Sequence, residues 1–79
     1  MYEAEYEKVL NEMEKQLKPV VTRRALSEAL GGLVAYRTWA NRDSLGTGPE
    51  VKIKIGRTVG YPKQSVMDWL RKNLTITKC

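Results

Sequence analysis

The sequence predicts a single α+β domain, mainly α-helical, from three patterns along its 79 residues. An amphipathic helical stripe occupies residues 1–18, and two short helical segments follow on either side of Gly31-Gly32. A period-two alternation of apolar residues then surrounds Gly56-Arg57, which is typical of a β-hairpin. The predicted order is therefore an N-terminal helix, a helix, a glycine turn, a helix, a hairpin and a closing helix.

Residues 1–18 form the first predicted unit, an N-terminal amphipathic helix. Its apolar residues recur at spacings of four, three and four, and so share one helical face: Tyr6, Leu10, Met13 and Leu17. Pro19 is expected to end the helix, because proline cannot donate the next backbone hydrogen bond. The stripe needs a partner surface. Three are open: the rest of this domain, a second copy in a homodimer, or another protein such as a recombinase or transcription factor.

Residues 19–79 form the second predicted unit, which begins with a pair of short helices. Thr22 is the predicted N-cap of a helix over residues 23–30, and Gly31-Gly32 stops that helix. A second helix is predicted over residues 35–44, before the turn that Gly46 and Gly48-Pro49 indicate. Two short helices across a glycine turn form a helix-turn-helix unit.

A hairpin and a closing helix complete the predicted fold. Apolar and basic residues alternate along the first hairpin strand: Val51, Lys52, Ile53, Lys54 and Ile55. We expect the apolar face of this strand to cover the helices while the lysines stay in water. Pro62 suits the first turn of the last helix, in which Val66, Trp69 and Leu70 share one face.

The charge distribution favours an anionic partner. The chain holds 14 Lys and Arg against nine Asp and Glu, which gives a formal net charge of +5. Residues 1–18 contain five Glu and three Lys and carry −2, so residues 19–79 carry +7. A basic body with an acidic appendage suits nucleic acid, with the appendage turned away from it.

The composition argues against an enzyme, a metal site and a membrane protein. The sequence has no His, and its one cysteine, Cys79, allows neither an intrachain disulfide nor a cysteine-based metal site. The serines lack a recognisable base, and the glycines of residues 45–49 lack the lysine of a phosphate-binding loop. No run approaches the roughly 20 apolar residues of a membrane span. We therefore expect a cytoplasmic binding protein without cofactors.

Several short motifs follow one another in an order that is itself informative. They are Leu30-Gly31-Gly32, Arg37-Thr38-Trp39-Ala40-Asn41, Gly48-Pro49, Lys54-Ile55-Gly56-Arg57-Thr58-Val59-Gly60-Tyr61 and Val66-Met67-Asp68-Trp69-Leu70. Together they resemble the small winged helix-turn-helix DNA-binding proteins of the MerR-type and phage excisionase group, over roughly residues 22–73. The resemblance implies that the second helix of the pair enters the major groove and that the hairpin is a wing along the DNA backbone. It fits roles in recombination, transcription and DNA packaging alike, and the metal-binding cysteines of many MerR-type regulators are missing here.

If the second helix reads DNA, four residues near its N-terminus are the candidate contacts: Tyr36, Arg37, Ala40 and Asn41. Arg37 can bond both acceptors on a guanine edge, and Asn41 can pair with adenine. Tyr36 can bond a phosphate or stack on a sugar. A phosphate contact or a solvated side chain is the alternative for Arg37, and backbone capping is the alternative for Asn41.

Other cations are candidates for the DNA backbone. Arg57 at the hairpin tip suits the backbone or a narrow minor groove, and Gly56 permits a close approach. The remaining candidates are Arg42, Lys52, Lys54, Arg23 and Arg24, of which the last two are placed at a helix N-terminus where a phosphate can bind. Trp39, Trp69, Tyr61 and the apolar face of residues 51–55 are expected in the core, although an aromatic side chain in such a helix can also face DNA.

These observations predict sequence-specific binding of double-stranded DNA by an excisionase-like factor or transcriptional regulator of phage or mobile-element type. The alternative is a protein-interaction adaptor that binds its partner through the N-terminal stripe, with an incidental basic surface. Single-stranded nucleic acid is disfavoured, because the hairpin has no row of exposed aromatic residues on which bases can stack.

Overall fold

The computed structural model describes residues 3–76, and within them the chain forms four helices and one three-stranded antiparallel sheet. The helices are α1 (Glu3–Gln16), α2 (Arg23–Ala29), α3 (Tyr36–Leu45) and α4 (Lys63–Asn73). The strands are β1 (Val20–Thr22), β2 (Ile53–Ile55) and β3 (Thr58–Pro62). The predicted α+β class with mainly helical content is confirmed. Cys79 lies outside the described residues.

Helix α1 packs on α4 through its apolar stripe. Leu10 and Leu17 are buried in the core, and Tyr6 and Met13 pack against it half-buried. The Tyr6 hydroxyl donates a 2.7 Å hydrogen bond to the backbone carbonyl of Arg71, the last-turn residue of α4. The stripe therefore contacts its own domain, which is the first of its three possible partners.

The boundaries of α2 and α3 follow the local signals in the sequence. The Thr22 side chain accepts a hydrogen bond from the Ala25 N–H at 3.1 Å, as an N-cap does. Gly31 and Gly32 have φ angles of 65° and 79°, which residues other than glycine rarely adopt, so the chain turns sharply between the helices. Inside this corner the indole N–H of Trp39 donates a buried 2.9 Å hydrogen bond to the Ser27 hydroxyl.

The sheet has the strand order β1-β3-β2 and contains a strand that the sequence did not predict. That strand is β1, which pairs antiparallel with β3 so that Val21 lies opposite Tyr61. The two backbones approach closely at Gly60, where an added Cβ would lie 3.0 Å from the Val21 carbonyl oxygen. Glycine at this position thus permits β1 to join the hairpin.

The predicted hairpin forms around Gly56-Arg57, but the expectation that its apolar face covers the helices is wrong. The side chains of Val51 and Ile55 are 53% and 79% exposed, and Ile53 is half-buried. Strand β2 lies at the edge of the sheet, and its main contacts are with β3. The tip of the hairpin therefore extends beyond the helices that its apolar face was expected to cover. Period-two alternation establishes a strand but does not establish that another layer covers it.

The centre of the core is aromatic, and the prediction that Trp39, Tyr61 and Trp69 lie in the core is confirmed. Trp39 and Tyr61 are fully buried, and Trp69 is nearly so. The Trp39 and Trp69 rings meet edge to face with centroids 5.0 Å apart, a favoured geometry for aromatic pairs. Because Trp39 is the buried residue of α3, it determines which face of that helix is turned outward.

Helix α4 begins one residue later than its proline suggested. Pro62 occupies the N-cap position rather than the first turn, and Lys63 is the first helical residue. The amide of Lys63 donates to the Pro19 carbonyl at 2.8 Å, which joins the start of α4 to the segment before β1. None of the described helices combines the length and the apolar character that crossing a membrane requires.

Candidate nucleic-acid interface

The outward face of α3 brings together the four side chains that the sequence selected for DNA contact. Tyr36, Arg37, Ala40 and Asn41 are all exposed, whereas Trp39 between them is buried. Their spacing of one, three and one residues places them on one side of the helix over its first two turns. The helix thus presents a short surface that combines an aromatic ring, a guanidinium group, a methyl group and a carboxamide.

Arg42 lies at the inner margin of this surface and is half-buried. Its guanidinium carbon is 5.4 Å from the centroid of the Trp69 ring, within the range of a cation–π contact. Its Nε is buried and has no hydrogen-bond partner among the described residues. The sequence predicts that Arg42 contacts the DNA backbone. In the structure, much of this side chain packs against Trp69 instead.

Arg23, Asp43 and Tyr61 form a closed set of hydrogen bonds that connects α2, α3 and β3. Arg23 Nη2 and the Tyr61 hydroxyl each donate to Asp43 Oδ2 at 2.7 Å. Arg23 Nε donates to the Tyr61 oxygen at 3.1 Å. The Asp43 side chain is 6% exposed and that of Arg23 is 25% exposed. Arg23, a predicted phosphate contact, is thus engaged within the fold.

This set of bonds also changes the electrostatics of α3. The hydrogen bonds to Tyr61 and Asp43 raise the pKa of the Arg23 guanidinium above its ordinary value. The cation faces the Asp43 carboxylate directly, so the negative charge beside Arg42 is compensated inside the domain. Sequence reasoning missed the set because its members are 18 to 38 residues apart, and no local pattern connects them.

Burial of Tyr61 leads to a pH-dependent stability. Burial raises the pKa of the Tyr61 hydroxyl from 10.0 to about 12; the hydrogen bond from Arg23 opposes this rise, and the adjacent Asp43 carboxylate adds to it. A folded-state pKa above the unfolded value means that the stabilisation is complete below pH 10 and is lost as the pH rises towards 12. We expect the free energy of unfolding to fall more steeply over this interval in the wild type than in Tyr61→Phe.

Denaturant unfolding followed by circular dichroism at a series of alkaline pH values measures this difference. The comparison concerns the slopes, because loss of the Tyr61 hydroxyl also lowers the stability of the variant at neutral pH. Parallel pH profiles for the two proteins would contradict a raised pKa at Tyr61.

Two arginines lie against the exposed ring of Tyr36. The guanidinium carbon of Arg24, from the first turn of α2, is 4.9 Å from the ring centroid. That of Arg37, the next residue along α3, is 5.8 Å from the same centroid. The glycine turn therefore brings the starts of α2 and α3 together, so that Arg24, Tyr36 and Arg37 form one cationic group. Sequence patterns alone indicate Arg24 and Arg37 as separate candidates.

The hairpin carries exposed cations from its base to its tip. Lys52, Lys54 and Arg57 are all exposed, and the turn residue Gly56 has a φ angle of 61°. The base of the hairpin is fixed to the carboxyl-terminal half of α3, because Tyr61 of β3 bonds Asp43 of α3. The hairpin, and with it these cations, is therefore held in a defined position relative to α3.

No protein family, no curated protein and no solved structure matches the chain. The functional interpretation therefore depends on the geometry and charge of the chain itself.

Proposed function

We propose that the chain is a winged helix-turn-helix domain that binds double-stranded DNA in a sequence-specific manner. The observation that carries this proposal is the outward face of α3, where Arg37, Ala40 and Asn41 are exposed opposite the buried Trp39. A helix so oriented can enter the major groove, which is wide enough for an α-helix and gives each base pair a distinct pattern of donors and acceptors.

In this proposal α3 is the recognition helix. The Asn41 carboxamide has a donor and an acceptor that match the N6 and N7 groups of adenine, and the Ala40 methyl group suits contact with a thymine methyl. Helix α2 supports α3 from behind through the Trp39–Ser27 hydrogen bond. The contacts to bases therefore come from a helix that is held rigidly by the core.

The hairpin acts as the wing. Its exposed tip carries Lys54 and Arg57 beside Gly56, a composition suited to phosphates or to a narrow minor groove. Residues 19–79 carry +7, which attracts DNA, and the acidic helix α1 packs on α4. One module makes few contacts, so specificity would come from tandem sites or DNA deformation, as suits an excisionase-like factor or transcriptional regulator.

The adaptor function is less well supported. An adaptor would present the stripe of α1 to its partner, but Leu10 and Leu17 are buried and Tyr6 is bonded to α4. Exposing the stripe would require α1 to detach from the core. The DNA-binding proposal needs no such rearrangement.

Selection from a random duplex library at near-physiological salt tests the proposal. We expect one enriched motif, and we expect Asn41→Ala to lose preference at one base pair, by about 1–3 kcal/mol. Asn11→Ala is the matched control, since Asn11 is an exposed asparagine on α1. The control should select the wild-type motif with unchanged affinity.

Two results would contradict the proposal. The first is the absence of any enriched motif, with weak binding that salt abolishes equally for every duplex. The second is an equal effect of Asn41→Ala and Asn11→Ala on the selected motif. Binding would then not depend on the outward face of α3.

A further inference from the structure

The cationic group at the starts of α2 and α3 consists of Arg24, Tyr36 and Arg37. Both guanidinium groups lie against one tyrosine ring, at 4.9 Å and 5.8 Å from its centroid. All three side chains are exposed. The two guanidinium carbons can be no farther apart than the sum of these distances, so two like charges share the surroundings of one exposed ring.

Neither Arg24 nor Arg37 makes a direct ion pair in the described part of the chain. The ion pairs of residues 3–76 are Arg23–Asp43, Arg71–Glu7 and Lys72–Glu50. Glu28 borders the open hollow beside Arg24 and Tyr36, yet it makes no direct ion pair with Arg24. An anion bound by both guanidinium groups would gain charge-assisted hydrogen bonds from each.

We infer that Arg24, Tyr36 and Arg37 form a clamp for one phosphate group of the DNA backbone. In this role Arg37 sets the position of α3 on the duplex, and base reading is left to Ala40 and Asn41. The inference rests on the proposed function, which it makes more specific. It decides between the two roles that the sequence allowed for Arg37, a guanine contact and a phosphate contact.

The direction of helical side chains supports the backbone role. Side chains on a helix lean towards its N-terminus, and Arg37 is the second residue of α3, so its side chain extends over the start of the helix. There it meets the Tyr36 ring rather than the region of Asn41, which lies one turn further along the helix. Arginine also binds phosphate with two parallel hydrogen bonds, and its flat group stacks on aromatic rings. Tyr36 is the positioning residue, since contact with its ring restrains both arginines before DNA arrives.

Affinity measurements on the selected duplex and a scrambled duplex, each over a range of salt, test the clamp. A phosphate contact contributes about 0.9 to the slope of log affinity against log salt. We expect Arg24→Ala and Arg37→Ala each to weaken both duplexes by the same factor, roughly tenfold at low salt, and the double variant, which loses the one phosphate contact, to reduce the slope by about one. Asn41→Ala should instead reduce the preference for the selected duplex with little change in slope.

Tyrosine variants separate the ring from its hydroxyl group. Tyr36→Phe keeps the platform for both arginines and should retain most of the affinity. Tyr36→Ala removes the platform and should weaken both duplexes several-fold. Because these side chains are exposed, the variants should keep the wild-type circular dichroism spectrum and unfolding midpoint.

Neutral phosphate analogues identify the contact on the DNA. A series of selected duplexes, each with one methylphosphonate, should contain a position that weakens the wild type and has no further effect on the Arg24→Ala/Arg37→Ala double variant. Loss of preference at a single base pair in Arg37→Ala, with an unchanged salt slope, would overturn the clamp and leave the DNA-binding proposal standing. Failure of the wild type to enrich any motif would instead contradict the DNA-binding proposal itself.

Discussion

Replacing Trp39 with alanine is expected to lower the free energy of unfolding by about 3–5 kcal/mol. The side chain is fully buried, contacts the Trp69 and Tyr61 rings, and donates a hydrogen bond to Ser27. Its removal leaves a cavity at the centre of the core and an unsatisfied hydroxyl group. A domain of this size has a total stability of roughly 4–12 kcal/mol, so the variant loses a large fraction of it.

Urea unfolding followed by circular dichroism measures this loss. Leu33→Ala is the control, because Leu33 is also large and apolar but is 86% exposed in the turn between α2 and α3. We expect the control to change stability by less than about 0.5 kcal/mol. A Trp39→Ala variant with wild-type stability and reduced DNA affinity would mean that Trp39 faces the ligand instead of the core.

Replacing Leu10 with alanine should lower the free energy of unfolding by about 2–5 kcal/mol. Leu10 is 1% exposed and joins α1 to the core, so the variant loses both apolar burial and packing against α4. Val9→Ala is the matched control on the neighbouring, more exposed side of the same helix. It should cost well under half as much.

The concentration dependence of unfolding separates packing within the domain from dimerisation. Because the stripe packs on its own α4, the unfolding midpoint of the wild type should not change with protein concentration. A midpoint that rises with concentration, and that Leu10→Ala makes insensitive to concentration, would show that the stripe pairs two copies.

The element boundaries could be predicted from sequence because their causes are local. Thr22 caps α2 through its own side chain, and Gly31 and Gly32 turn the chain through their own backbone freedom. Pro19 limits α1 for a similarly local reason, since it lies only three residues after Gln16, the last residue of the helix. Each of these effects extends over four residues or fewer, so the surrounding sequence contains the whole signal.

The parts that sequence did not predict depend on contacts between distant residues. Strand β1 has only three residues, and it is a strand because β3, about 40 positions later, offers an edge with Gly60 at the point of close approach. The exposure of Ile55 depends on how far the hairpin extends beyond the helices, which alternation does not encode. The bonds among Arg23, Asp43 and Tyr61 likewise require the folded chain.

The candidate interface was partly predictable for the same reasons. Helical periodicity and one buried tryptophan were enough to select the outward residues of α3, including Asn41. The meeting of Arg24 with Tyr36 required the angle that the glycine turn sets between two helices. Charge and periodicity thus identify the residues, and the turn geometry decides which of them act together.

The contact between α1 and α4 has a consequence for the order of folding. The Tyr6 hydroxyl and the Arg71 carbonyl are 65 residues apart along the chain, so this bond closes a loop that contains every other described element. Long loops lose more chain entropy on closure than short ones, and contacts between near neighbours form sooner. Helix α4, which receives α1, itself packs on β3. We therefore expect α1 to dock as a late step and to be the first helix released when the native state opens locally.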